Sequence, residues 1–170
     1  TGAMYADYYN WEITPSTAGT INGTGLTGVV NWNSDFSGAA QITVAGHNQT
    51  GTGAVSNTLS VTVYPATVAG FVSGTGNICF GDSTGILMLT NYTGNIVKWQ
   101  KNLNSIGWID IPDTHYTFSE IPSATGTWQY RALVQNGVCT PVYSAVTVIT
   151  VDTIALNAGI INGPNSICQG

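Results

Sequence analysis

Two stretches of this chain align without a gap. Residues 69–81 read Ala69-Gly70-Phe71-Val72-Ser73-Gly74-Thr75-Gly76-Asn77-Ile78-Cys79-Phe80-Gly81, and residues 158–170 read Ala158-Gly159-Ile160-Ile161-Asn162-Gly163-Pro164-Asn165-Ser166-Ile167-Cys168-Gln169-Gly170. Ala-Gly, the central glycine, Ile-Cys and the final glycine coincide. A β-type segment that returns with its cysteine in register marks the opening of a structural unit. The chain therefore reads as a slice through a tandem array, with one unit running from Val68 to about Asn157.

Composition restricts what such units can be. Hydrophobic residues make up 43% of the 170, enough to build cores, whereas charged residues are 6%, against about 25% in average soluble proteins. Threonine and aromatics favour strands, glycine and asparagine favour turns, and strong helix formers are scarce. An all-β chain of two β-sandwich domains in tandem is the expectation. Lys98, Lys101 and Arg131 are the only cations and the net charge is −5. Nucleic acid needs clustered Lys and Arg to neutralise phosphate, so it is not an expected partner. No apolar run approaches the ~20 residues that span a bilayer, so membrane insertion is not expected either.

Cys79, Cys139 and Cys168 stand in no CxxC or Cys/His cluster, which argues against zinc and against a redox dithiol. A Cys79–Cys139 disulfide, implying an oxidising compartment, is the leading expectation. It would stabilise the unit by about 4 kcal/mol on the chain-entropy account. Two buried free thiols are the alternative, because spacing alone decides little. Cys168 has no expected partner within this sequence.

Hydrophobic periodicity places the strands. Tyr9, Trp11 and Ile13 alternate with Tyr8, Asn10 and Glu12, the period of a half-buried strand. Val29–Trp32, Gln41–Ala45 and Ser56–Val63 follow, separated by turns rich in Gly, Asn and Ser. In the second unit the candidates are Ile86–Leu89, Ile96–Lys101, Trp108–Ile111, Tyr116–Phe118, Thr127–Gln135 and Tyr143–Val151. Val97 and Trp99 are expected on one face, and Trp128, Tyr130, Ala132 and Val134 on another. A Trp on a third strand and a Tyr on a penultimate one fit an immunoglobulin-like sandwich.

The residues also resemble a known family. Ile78-Cys79-Phe80-Gly81, Ile96-Val97-Lys98-Trp99-Gln100-Lys101, Trp128-Gln129-Tyr130-Arg131-Ala132 and Asn136-Gly137-Val138-Cys139 are similar to the Ig-like repeat of very large Bacteroidetes surface adhesins. Tyr9-Asn10-Trp11-Glu12-Ile13, Val30-Asn31-Trp32-Asn33 and Ile42-Thr43-Val44-Ala45-Gly46-His47-Asn48 are similar to the PKD-like repeat that alternates with it. The resemblance implies residues 5–66 as a PKD-like sandwich, 67–153 as an Ig-like sandwich, and 154–170 as a linker with the start of the next repeat. Residues 1–4 resemble a cloning scar. It also implies type IX secretion, a bacterial cell-surface location, and a role in adhesion or gliding motility. Where the PKD-like pattern carries a cysteine this chain has Thr50, and the Ile-Cys-x-Gly expected before Tyr5 is absent. The first unit is thus expected to lack a covalent staple and, on this pattern, its first strand, and to be the less stable of the two.

Candidate sites are few. Gly23-Thr24-Gly25-Leu26-Thr27-Gly28 matches the dinucleotide fingerprint, but that chemistry needs a strand before and a helix after. A strand-like run follows here, so a turn is expected. His47 and His115 stand in no recognisable catalytic signature, and no enzyme activity or cofactor is expected. Asp110 and Asp113 near His115 could form a ligand cluster, although two carboxylates fall short of a calcium shell and a solvated turn is favoured. Calcium near Asp152 is a further option. Trp108, His115, Tyr116 and Trp128 could stack on a sugar if coplanar, against which stands core packing of Trp128. Ser83 and Thr153 sit in Asp-Ser-Thr and Asp-Thr-Ile triplets resembling the O-glycosylation signal of that phylum.

The leading expectation is a non-catalytic structural or adhesive module whose expected partners are neighbouring repeats, with extracellular polysaccharide or surfaces as further candidates. A carbohydrate-binding module is the second reading, and an enzyme accessory domain the third.

Overall fold

The computed structural model describes residues 4–74, 76–153 and the single positions 162, 166 and 168. Among them are fifteen strands and one 3₁₀ turn at Ser16–Ala18, arranged around two separate apolar cores. The fold is all-β and made of β-sandwiches.

The first unit contains β1 (Tyr8–Thr14), β2 (Gly19–Asn22), β3 (Val29–Trp32), β4 (Gly38–Asn48), β5 (Gly51–Val55) and β6 (Leu59–Val63). The long β4 is central: β1 pairs along one edge, while β5 and β6 share the other. A two-stranded β2–β3 sheet faces it. Ile13, Ala18, Ala40 and Ile42 are buried between the layers, with Trp11, Ile21, Val30, Phe36 and Val61 packed against them. The expected alternation in β1 is observed, since Tyr9, Trp11 and Ile13 are the more buried set. The strands β2 and β5 were not anticipated from sequence.

The second unit contains β7 (Phe71–Ser73), β8 (Asn77–Cys79), β9 (Leu87–Thr90), β10 (Asn95–Leu103), β11 (Ile109–Ile111), β12 (Thr117–Phe118), β13 (Gly126–Gln135), β14 (Val142–Tyr143) and β15 (Thr147–Asp152). One sheet runs β11-β10-β13-β15-β8 with β14 beside β13, and the other runs β12-β9-β7. The first copy of the repeated motif therefore supplies one strand to each sheet, β7 to the smaller and β8 to the larger. Trp99, Tyr130, Leu87, Val134 and Ile149 are fully buried, and Trp128 is nearly so. Each large side chain of this kind contributes roughly 1.5–3 kcal/mol on burial. Their polar tips are satisfied: Trp99 Nε1 donates to His115 O at 2.9 Å, Trp128 Nε1 to Ala124 O at 2.9 Å, and Tyr130 OH to Glu120 Oε1 at 2.9 Å.

Two sequence expectations fail locally. A bulge between Ile96 and Lys98 turns Ile96 into the core at 7% exposure and leaves Val97 at 43%, so Ile96 rather than Val97 shares the core with Trp99. The run Tyr143–Val151 is also not one strand. Ser144 still bonds to β13, its N donating to Ala132 O at 2.8 Å, but at Ala145 the chain turns to the other sheet, Ala145 N donating to Gly70 O at 3.2 Å, which splits the run into β14 and β15.

The two units share one frame. In the first, Gly38 faces Val63, Ala40 faces Val61, Trp11 faces Val44, and Ala45 faces Val55. In the second, Gly126 faces Val151, Trp128 faces Ile149, Trp99 faces Ala132, and Leu133 faces Tyr143. Every position shifts by 88, as from Gly38 to Gly126. The same shift carries Val29-Val30 of β3 onto Thr117-Phe118 of β12. One strand changes partner: β2 pairs with β3, whereas β11, in the corresponding stretch, pairs with β10.

Candidate functional site

The structure corrects the expected Cys79–Cys139 disulfide. Cys79 and Cys139 are free thiols. Cys79 ends β8 opposite Asp152, one step beyond the pair Gly126–Val151 at the start of β13. Cys139 lies past Gln135, at the other end of β13, where Gln135 Nε2 donates to its carbonyl at 3.1 Å. Nine steps of strand put the two sulfurs ~30 Å apart, and a disulfide needs Cα atoms within about 7 Å. The pairing of β8 with the end of β15 is the cause, since it sets Cys79 at the far end of the sandwich. Cys168 is exposed.

Cys139 faces the junction between the units. Its Sγ lies 3.5 Å from Pro65 O and 4.0 Å from Tyr64 O. In the same turn, Asn136 N donates to Thr67 Oγ1 at 3.1 Å and Asn136 Nδ2 donates to Pro65 O at 2.8 Å. Gly137 has φ +53° and lies flat under the Tyr64 ring, where an added Cβ would meet ring carbons at 2.5–2.6 Å. The residues 64–67 that join the units are thus held by the turn 136–139. Short side-chain-to-backbone bonds and a positive-φ residue explain why Asn-Gly stands there.

A second constellation occupies the outer face of β10, β11 and β13. The Arg131 guanidinium lies between the Trp108 and Tyr143 rings, 3.8 Å from each centroid. Its Nε donates to Gln100 Oε1 at 2.9 Å, and Gln100 Nε2 donates to Asp110 Oδ1 at 2.6 Å. Lys98 Nζ donates to Asp110 Oδ2 at 2.7 Å. That bond, followed by the one from Gln100, holds the Asp110 carboxyl below its ordinary range, and it raises Lys98. Sequence reading missed this array because it depends on register: Gln100 sits beside Arg131 on one side and Asp110 on the other. Pairing the outward residues of two alternating strands is the signal that would have found it.

The other candidates separate. Trp128 is 4% exposed in the core, so it presents no face to a sugar, and Trp108 gives one ring face to Arg131. Tyr116 is 56% exposed, and the His115 side chain is 82% exposed. The four rings therefore form no common platform. Asp113 turns to His115, accepting from its backbone N at 2.8 Å and pairing its ring at 2.7 Å. These contacts, the backbone one first, lower the Asp113 pKa, while Asp110 faces Lys98. Among the described residues no group of three His, Cys, Asp or Glu could hold a metal ion. Ser83 and Thr153 are exposed outside strands. Residues 23–28 form the β2–β3 loop, with Gly25 O accepting from Trp11 Nε1 at 3.2 Å and Gly28 lying against the Trp11 ring. His47 stacks on Tyr8 with centroids 4.9 Å apart, and Thr52 Oγ1 is 2.9 Å from its Nδ1.

Residues 68–153 match the family described as a domain of unknown function, DUF8696. The chain belongs to that family. The DUF8696 match contains β7 to β15, the stacked arginine and the turn 136–139, while the first unit lies outside it. No curated protein matches the chain. Among solved structures, the FN1–FN3 domains of chicken CNTN1 are similar at 13% identity and a TM-score of 0.38, over 85% of this chain and 55% of that one. The chain thus spans about half the length of that structure, and the fold described above rests on its own strand registers.

Proposed function

We propose that the chain is a non-catalytic repeat module of a large secreted bacterial adhesin, serving as a stiff segment of a cell-surface shaft. The observation that carries this reading is the junction: two sandwiches built on one frame meet through a linker held by hydrogen bonds from Asn136 and by Tyr64 over Gly137. An interdomain segment tied down in this way transmits orientation from one unit to the next, whereas a free linker would not. The repeated motif at 158–170 supports continuation into a further unit of the same kind. The resemblance to Bacteroidetes adhesins supports type IX secretion, the cell surface, and a part in adhesion or gliding. Neighbouring repeats are its first partners. Neither a metal nor a cofactor enters this reading.

Antibodies raised against the DUF8696 unit, applied to intact cells that make the parent protein, test the location. Labelling of unbroken cells is the expected result. Labelling that appears only after lysis contradicts the proposal.

A further inference from the structure

Of the three cations in this chain, two are neutralised within the fold: Lys98 pairs with Asp110 and Lys101 with Glu120. Arg131 pairs with no carboxylate among the described residues, although acidic groups outnumber Lys and Arg by eight to three. Its hydrogen bond runs from Nε to Gln100 Oε1, which leaves the two terminal Nη groups without a protein acceptor among those residues. No buried side-chain nitrogen or oxygen there lacks a partner, so both Nη groups reach solvent. Trp108 and Tyr143 hold the guanidinium on its two faces. Gln100, 6% exposed and itself bonded to Asp110, holds its inner side.

Fixing so mobile a side chain costs conformational entropy, and the sandwich does not require it. On the shared frame the first unit has Thr20, Thr43 and Val55 where the second has Trp108, Arg131 and Tyr143. A planar fork of two N–H donors, oriented in advance and open at its end, is the complement of a planar anion. We infer that the Nη edge of Arg131 is a binding site for a carboxylate, carried by a uronic-acid residue of an acidic polysaccharide.

Shape selects the anion. A carboxylate continues the guanidinium plane and meets the ring edges, which carry the positive part of the aromatic quadrupole. A tetrahedral sulfate or phosphate thrusts oxygens out of that plane, toward the negative ring faces. The surroundings select the carrier. β10 and β13 are each paired along both sides, so this face has no free strand edge for a peptide to extend. Beside the fork stand the Tyr143 ring, 38% exposed, and Leu133 opposite it in the register, a surface suited to the C–H face of a pyranose. The net charge of −5 opposes an acidic polymer at long range, so the contact is local, weak when single, and weaker still in salt.

Titration of the full chain with trigalacturonate at low ionic strength, followed by nitrogen–proton NMR, tests this. The Arg131 Nε–H and Trp108 indole signals move saturably. The fully methyl-esterified trisaccharide, a triglutamate peptide, and sulfate at equal ionic strength bind about tenfold more weakly or less. Arg131→Lys keeps the charge but loses the fork, and weakens trigalacturonate by about tenfold or more. Signals that stay still, or that move equally with the ester, overturn the inference on the native chain, whatever the variant does. Undiminished binding by Arg131→Lys overturns it too, as does sulfate binding as tightly as the sugar acid. Triglutamate binding as tightly overturns the polysaccharide assignment in favour of an acidic peptide.

Discussion

At the residue scale, Cys139 and Tyr130 carry different kinds of consequence. Cys139 is half-buried against the linker, whereas Cys79 is exposed. A thiol reagent applied to the folded protein labels Cys79 rapidly and Cys139 slowly, and non-reducing peptide mapping recovers no Cys79–Cys139 pair. Recovery of that pair would contradict the strand order. Tyr130 is fully buried beside Glu120, and burial first, then the bond to that carboxylate, raises its pKa well above 10. The unfolded chain releases this proton as pH passes about 10, while the folded chain holds it. Stability is then intact below pH ~10 and falls above it, by up to about 1.4 kcal/mol per pH unit. Urea midpoints across that range show the decline. Tyr130→Phe flattens it, at the expense of the hydrogen bond to Glu120, about 1 kcal/mol. The inward set of β13 was legible from alternation alone. The cysteine pairing was not, because the placement of β7 and β8 in different sheets leaves no trace in spacing.

At the element scale, the turn between β13 and β14 fixes the junction. Gly137→Ala places a Cβ within 2.5 Å of the Tyr64 ring and requires an alanine at φ +53°, a backbone cost of about 1–2 kcal/mol. The variant loses order between the units, read as line broadening of the Tyr64 ring resonances and a wider distribution of interunit distances by spin labelling. In a Tyr64→Ala background the steric part vanishes and the backbone cost remains, which separates the two effects. An unchanged distribution in Gly137→Ala would mean that the turn does not hold the linker. Sequence reading placed Asn136-Gly137 as a turn and Tyr64-Pro65-Ala66-Thr67 as a linker, but contact between segments 70 residues apart has no local signature. The bulge at Ile96–Lys98 escaped for a similar reason, since one inserted residue exchanges Val97 for Ile96 without disturbing composition.

At the scale of the whole molecule, two sandwiches on one frame differ in how fully their cores are enclosed among the described residues. The second core encloses Trp99, Trp128 and Tyr130 between two full sheets, while the first has four small or medium buried residues and a two-stranded cover. Calorimetry therefore gives two transitions, with the first unit melting at the lower temperature; a single cooperative transition would contradict separate cores. The tandem organisation was legible in the repeated motif, and the Trp11 and Trp99 strands were both found by alternation. Their equivalence became visible once the registers showed the constant shift. Small-angle X-ray scattering, extrapolated to infinite dilution, tests the serial arrangement most directly. Two units in line give a radius of gyration of about 21 Å, and one compact globule of this length gives about 15–16 Å; the larger value is predicted, and the smaller one would contradict the account.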